Sequence, residues 1–156
     1  MKTPLLLDTN VLLHYARGKA TGTWLRDRYG LRDTSGQLLT CRVAVAEVMA
    51  FVAKKAAQGQ PWGDAKQDEL AKILDRMHVI EITDPAMLAA YTGLVVFSEV
   101  NTKPARSMEG NDLWIASATK VSGATLLTSD PDFDHLHGHQ ITVEKYDPRV
   151  PPQGTP

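Results

Sequence analysis

With 156 residues, 43% hydrophobic and 22% charged, the chain has the make-up of one compact domain, long enough to bury roughly two-thirds of the surface its unfolded form exposes. Its 17 Lys and Arg nearly cancel its 18 Asp and Glu, so the net charge of -1 provides no general basic field, and any contact with nucleic acid must come from local patches. A single cysteine, Cys41 in LLTCRVAV, excludes an intramolecular disulfide and a cysteine zinc site, and no apolar stretch reaches the roughly 18 residues of a membrane span; a cytoplasmic protein is expected.

The first element is a short apolar strand, LLL at 5–7, which closes on Asp8, Thr9 and Asn10, with a helix following at Val11. A polar stretch, GLRDTSGQ, leads to a second strand at 38–40. An Ala-rich helix is expected over 43–59, turning basic at Lys54 and Lys55 and stopping at Gly59; a second over 64–77 carries Leu70, Ile73, Leu74 and Met77 at three- and four-residue spacing. A strand at 79–82 precedes a helix over 84–100, opened by the capping pair Asp84-Pro85, and a further helix over 110–123 is bounded by glycines. Strands at 125–128 and 141–143 finish the domain, taken as 1–146, with DPRVPPQGTP at 147–156 as a Pro-rich C-terminal tail. Strands alternating with helices predict an α/β three-layer sandwich around a central, mostly parallel five-stranded sheet.

Two strands end on acids: Asp8 after LLL, and Asp130 after TLLTS. Ligands of open parallel sheets lie beyond the carboxyl ends of the strands, so these acids should share one crevice. Asp8 would also serve as a plain N-cap. Glu47 interrupts the apolar run VAVAEVMAFV, where an unpaired carboxylate is costly to bury; a structural ion pair or a bound ligand would each account for it. Asp112 lies in the first turn of its helix, where the dipole favours an anion, with Asn111 as the natural cap. Asp130, Asp132 and Asp134 crowd the SDPDFD turn, a cluster that solvent alone can satisfy. Four acids on separate elements without an evident set of cationic partners suggest a divalent cation, and hard oxygen ligands favour Mg²⁺ or Mn²⁺ over zinc.

These motifs carry a resemblance. LLLDTNVLL, AVAEVMAF, GNDLWIASAT and LLTSDPDFDHL, in that order, resemble the four acidic motifs of PIN-domain nucleases, most of all the VapC-type toxins of bacterial toxin–antitoxin pairs. The resemblance covers the chain to about Val143 and implies metal-binding, catalytic acids at Asp8, Glu47, Asp112 and Asp130, an auxiliary metal-binding acid at Asp132, and polar support from Thr128 or Asn10. It implies a Mg²⁺- or Mn²⁺-dependent endoribonuclease acting on single-stranded or structured RNA, working as a homodimer and held in check by a small antitoxin protein. The 98–110 loop and the 30–37 insert are longer than a minimal toxin needs. A non-catalytic RNA- or protein-binding module, or a housekeeping RNA-processing nuclease, stand as alternatives.

Other features are weaker. Arg17, Lys19, Lys54, Lys55, Lys103 and Arg106 are candidate backbone contacts for RNA, and Tyr15, Trp62 and Trp114 candidate base-stacking rings, with core packing favoured for Trp114. His135, His137 and His139 alternate in HLHGH, a spacing that raises zinc, although no cysteine accompanies them. Neither GxGxxG nor GxxxxGK[ST] occurs, which excludes the common phosphate loops. Asn10 stands where a haloacid-dehalogenase-like phosphatase needs a second aspartate.

Overall fold

The computed structural model describes residues 3–32 and 37–149. Its elements are β1 (Leu5–Leu7), α1 (Thr9–Arg17), α2 (Ala20–Tyr29), β2 (Leu38–Cys41), α3 (Arg42–Ala57), α4 (Asp64–Arg76), β3 (His78–Ile80), α5 (Pro85–Val96), α6 (Gly110–Ser122), β4 (Thr125–Thr128) and β5 (Thr142–Lys145). A π-helical turn, Phe97–Asn101, follows α5, and a 3-10 helix, Pro131–Leu136, follows β4.

The five strands form one sheet in the order β3-β2-β1-β4-β5, and every neighbouring pair is parallel. Strand side chains alternate between the two faces. Thus Leu7 and Leu127 join the core formed with α1, α2 and α4, while Leu6 and Leu126 join the core formed with α5 and α6. This is the expected three-layer sandwich, with a sheet parallel throughout. The chain moves from β1 to β2 on one side and reaches β4 on the other, so a crevice opens between β1 and β4 at their carboxyl ends.

Three elements depart from the sequence expectation. Helix α2 was not anticipated, because ATGTWLRDRY is mostly polar and buries only Gly22 and Leu25. Its position depends on space rather than on an apolar stripe: a Cβ on Gly22 would lie 2.4 Å from the His14 carbonyl oxygen. The helix expected over 84–100 is α-helical only to Val96 and then widens into the π-turn. Among the polar insert, residues 33–36 lie outside the described residues, as do 150–156 of the expected tail. Pro148, at the start of that tail, accepts a hydrogen bond from Thr21 Oγ1 at 2.8 Å, so the chain runs back across α2.

Candidate active site

Asp8 is the residue after β1 and is only 4% exposed. Its backbone N–H continues the β1–β4 ladder to the Leu127 carbonyl, and its side chain caps α1: Oδ1 accepts from the Thr9 N–H at 2.7 Å. Oδ2 accepts from Thr128 Oγ1 at 2.6 Å. That buried hydroxyl also accepts from the Asp130 N–H at 3.0 Å, so Thr128 links the two acids of the adjacent strand ends. Thr128 thus fills the supporting role, whereas the side-chain oxygen of Asn10 is buried without a hydrogen-bond partner.

Asp130 caps the 3-10 helix through the Asp132 N–H at 2.9 Å, which folds Asp132 back beside it. Asp112, in the first turn of α6, arrives from across the crevice. Carboxylate oxygens of Asp112, Asp130 and Asp132 all lie within 4.8 Å of one another. Glu47 stands at the margin of this group, half-buried, where it accepts from Thr9 Oγ1 at 2.7 Å and from Asn111 Nδ2 at 3.3 Å.

Asn111 was expected to cap α6. Instead Glu109 precedes the helix, with no side-chain cap, and Asn111 lies inside the first turn and reaches Glu47. Thr9 and Asn111 are hydrogen-bond partners of Glu47 that the linear pattern does not reveal. Each directly adjoins a named acid, yet nothing in the linear pattern says that both turn towards α3.

The electrostatics of the crevice are those of an uncompensated anion cluster. Burial pushes Asp8 from 3.8 up to about 6, with the charges of Asp130 and Glu47 adding to it and hydrogen bonds from Thr128 and Thr9 opposing it. Asp112 is pushed up to about 7, first by burial and then by Asp130, Asp8, Asp132 and Glu47. Among the described residues no ion pair involves any of these five acids. Asp134 differs: it pairs with Lys145 of β5 at 2.7 Å and so faces away from the cluster.

The donor set suits a divalent cation. The carboxylate oxygens lie close enough together for one ion to reach all three, and an all-oxygen set matches Mg²⁺ or Mn²⁺. The histidines do not form a competing site. His135 Nε2 pairs with Ser98 Oγ at 2.9 Å, His137 Nδ1 accepts from the Val143 N–H, and the His139 ring lies near Phe97. Tyr15 and Trp62 are buried in the core and unavailable for stacking on bases. Trp114 packs against Tyr91 at 4.4 Å between ring centres, as core packing requires. Arg17 is occupied over the Phe51 and Trp62 rings. Cys41 is fully buried, and burial raises its thiol pKa, which keeps it inert.

A parallel sheet with carboxylates gathered at its β1/β4 switch point defines an α/β fold with an acidic crevice. The PIN domain model matches residues 5–138, and the chain belongs to that family, whose members are generally nucleases. No curated protein matches the sequence. Among solved structures, the chain is similar to VapBC2 from Rickettsia felis bound to a DNA fragment from its promoter, with 22% identity, a TM-score of 0.66, and 92% of this chain and 98% of that chain covered. FitAcB from Neisseria gonorrhoeae gives 22% identity, coverage of 93% and 98%, and a TM-score of 0.63. VapBC-5 from Mycobacterium tuberculosis gives 19%, 94% and 99%, and 0.58. At these identities the likeness is one of fold.

Proposed function

We propose that the protein is a metal-dependent endoribonuclease that hydrolyses phosphodiester bonds in single-stranded or structured RNA and acts as the toxin of a type II toxin–antitoxin pair. The observation that carries the chemistry is the convergence of Asp112, Asp130 and Asp132, flanked by Asp8 and Glu47, with no cationic side chain paired to them among the described residues. Asp112, Asp130 and Asp132 would hold Mg²⁺ or Mn²⁺, with Asp8 and Glu47 completing the catalytic set. When bound, such an ion lowers the pKa of a coordinated water and offsets charge on the phosphate oxygens.

The chain's own groups prepare that site. Thr128 fixes Asp8 and the Asp130 backbone in one arrangement, so the anionic pocket is formed before substrate arrives. Thr9 and Asn111 aim the Glu47 carboxylate, which keeps lone pairs free to orient an attacking water. Burial strengthens the preference of Asp8 and Asp112 for a cation over solvent.

The toxin reading draws on solved toxin–antitoxin proteins that share the fold, VapBC-5 from Mycobacterium tuberculosis and a toxin–antitoxin complex from Klebsiella pneumoniae among them. It brings with it a small antitoxin partner, a homodimer and a cytoplasmic location. Exposed apolar side chains at Met49, Leu88, Val96 and Val100 are consistent with a second copy, and among the described residues no helix is long and apolar enough to cross a membrane. Residues 1–146 would form the nuclease domain, with 147–156 as its tail.

The deciding experiment is cleavage of RNA by the full chain with Mg²⁺, with Mn²⁺ and with EDTA, alongside Asp130→Asn. Metal-dependent cutting that the substitution abolishes is expected. Cutting that persists in both EDTA and Asp130→Asn refutes the reading. Co-purification with the product of an adjacent small gene tests toxin status, and light scattering tests the dimer.

A further inference from the structure

A second concavity adjoins the acid cluster. It measures about 360 Å³ and is lined by Phe97, Asn101, Lys103, Arg106, His135 and His139 among others. None of its lining residues is acidic. Its walls are the two segments that carry the cluster: the 97–109 stretch runs directly into α6 and Asp112, and the 3-10 helix bears Asp132 at one end and His135 at the other. At a 3-10 rise of about 2.0 Å per residue, the three steps from Asp132 to His135 span about 6 Å.

The loop over this cavity is tied down. The Ser98 carbonyl accepts from Thr102 Oγ1 at 2.5 Å and from the Arg106 N–H at 2.7 Å, which draws the loop closed across its base. Ser98 itself is 1% exposed, and its hydroxyl pairs with His135 Nε2, joining the loop to the 3-10 helix. Lys103 and Arg106 emerge from this tie exposed, and among the described residues neither forms an ion pair. Beside them the half-buried Phe97 and exposed His139 rings, which both line the cavity, lie 6.0 Å apart between centres and are tilted by 32°.

We propose that this cavity is a nucleotide subsite, in which Lys103 and Arg106 hold a backbone phosphate of an RNA strand and the Phe97 and His139 rings receive a base. Two unpaired cations and a stacking surface are the elements by which single strands are bound without sequence readout. Its size fits one nucleotide, at the small end of ligand pockets, rather than a folded partner. The placement beside an anionic cluster is complementary: the strand's phosphate is attracted to the cavity and repelled from the acids until a cation neutralises them. The assignment rests on the nuclease reading for its ligand and adds where the strand is gripped.

The test uses the full chain in EDTA and a short labelled single-stranded oligoribonucleotide, followed by fluorescence anisotropy over a salt series. Lys103→Ala with Arg106→Ala should weaken binding by about tenfold or more, and the slope of log affinity against log salt should shrink by about 0.7, the value for one phosphate contact of a single strand. Both residues are exposed, so unchanged melting is expected, and Arg106→Lys should recover most of the affinity. In metal, the double variant should show a raised KM with kcat retained. Lys120→Ala, in the separate concavity beside Gly123 and Gln140, should change neither. Wild-type protein that neither binds nor cuts RNA overturns the nuclease reading and this assignment together. Wild-type protein that cuts RNA, with a double variant of unchanged affinity, KM and salt slope, overturns this assignment alone. A double variant altered only in oligomeric state assigns the face to a protein contact instead and overturns it too.

Discussion

Two sets of carboxylates in this chain are satisfied in different ways. On the outer surface, Glu81 meets Arg42 at 2.5 Å, Asp27 meets Arg26, Glu69 meets Arg32, and Asp134 meets Lys145. In the crevice, Asp8 and Glu47 are held by hydroxyl and amide donors, and Asp112 has four acids as its electrostatic neighbours. The surface acids are paired where solvent already screens them and contribute little to stability. In the crevice, Asp8 and Asp112 lie where burial makes their charge expensive, with exposed Asp132 at the rim. Among the described residues the fold stands this cost at the crevice, which points to a function there. Asp132 and Asp134 make the contrast within a single turn, one in the cluster and one in an ion pair.

The comparison breaks most sharply if an inner acid can be neutralised without consequence. Asp112→Asn should lower RNA cleavage by at least about a hundredfold, the loss expected when several kcal/mol of charge stabilisation disappear, while the metal-free fold is retained or strengthened. An active Asp112→Asn protein, assayed by single-turnover cleavage, would show that the cluster has no catalytic role.

Next comes the hydroxyl that joins the strand ends. Thr128→Val preserves shape but strips Asp8 of one donor and the Asp130 N–H of its acceptor. Leaving such buried groups unpaired costs about 1–3 kcal/mol, and losing ligand orientation should reduce activity by about 10–100-fold; urea melts and initial rates read the two effects.

Away from the crevice, sensitivity should follow space rather than charge. Gly22→Ala places a methyl against the His14 carbonyl and should destabilise the fold by about 1–3 kcal/mol in denaturant titration. Cleavage per folded molecule should stay near wild type.

The crevice should also set the pH response. Folded Asp8 and Asp112 titrate near 6 and 7, against 3.8 for an ordinary aspartate, so between pH 4 and 7 the folded chain binds more protons than the unfolded one. Stability of the metal-free protein therefore falls as pH rises through this window and levels off above it, by about 1–3 kcal/mol or several degrees in Tm. Mg²⁺ or Mn²⁺ should recover Tm at pH 8 and have little effect at pH 5, measured by differential scanning calorimetry. A Tm that rises with pH without metal would mean the acids are not mutually repelling. At the small end, Arg42→Ala removes a half-exposed surface pair and should change neither melting nor cleavage measurably.

Much of the fold was legible because its signals are local. LLL and TLLT are short apolar runs bounded by polar turns, and α4 places Leu70 and Ile73 in the core at helical spacing. Of the site, the sequence supplied the identities of the acids and the expectation that Asp8 and Asp130 share a crevice, since both end strands of a parallel sheet. It did not supply Asn111's contact with Glu47, because capping is a local preference while that contact spans 64 residues. The buried positions of Tyr15 and Trp62 were hidden for the same reason.

By itself, then, the sequence determined most of the strands and helices, α2 excepted, and which chemistry could gather at the strand ends, because alternation, helical spacing and capping act over a few residues. Tertiary structure alone decided that α2 packs through a missing side chain at Gly22, that Asp132 joins the cluster while Asp134 turns to Lys145, and that Thr9 and Asn111 aim Glu47. Those outcomes depend on distances between segments remote in the chain, and only close packing of the layers sets them.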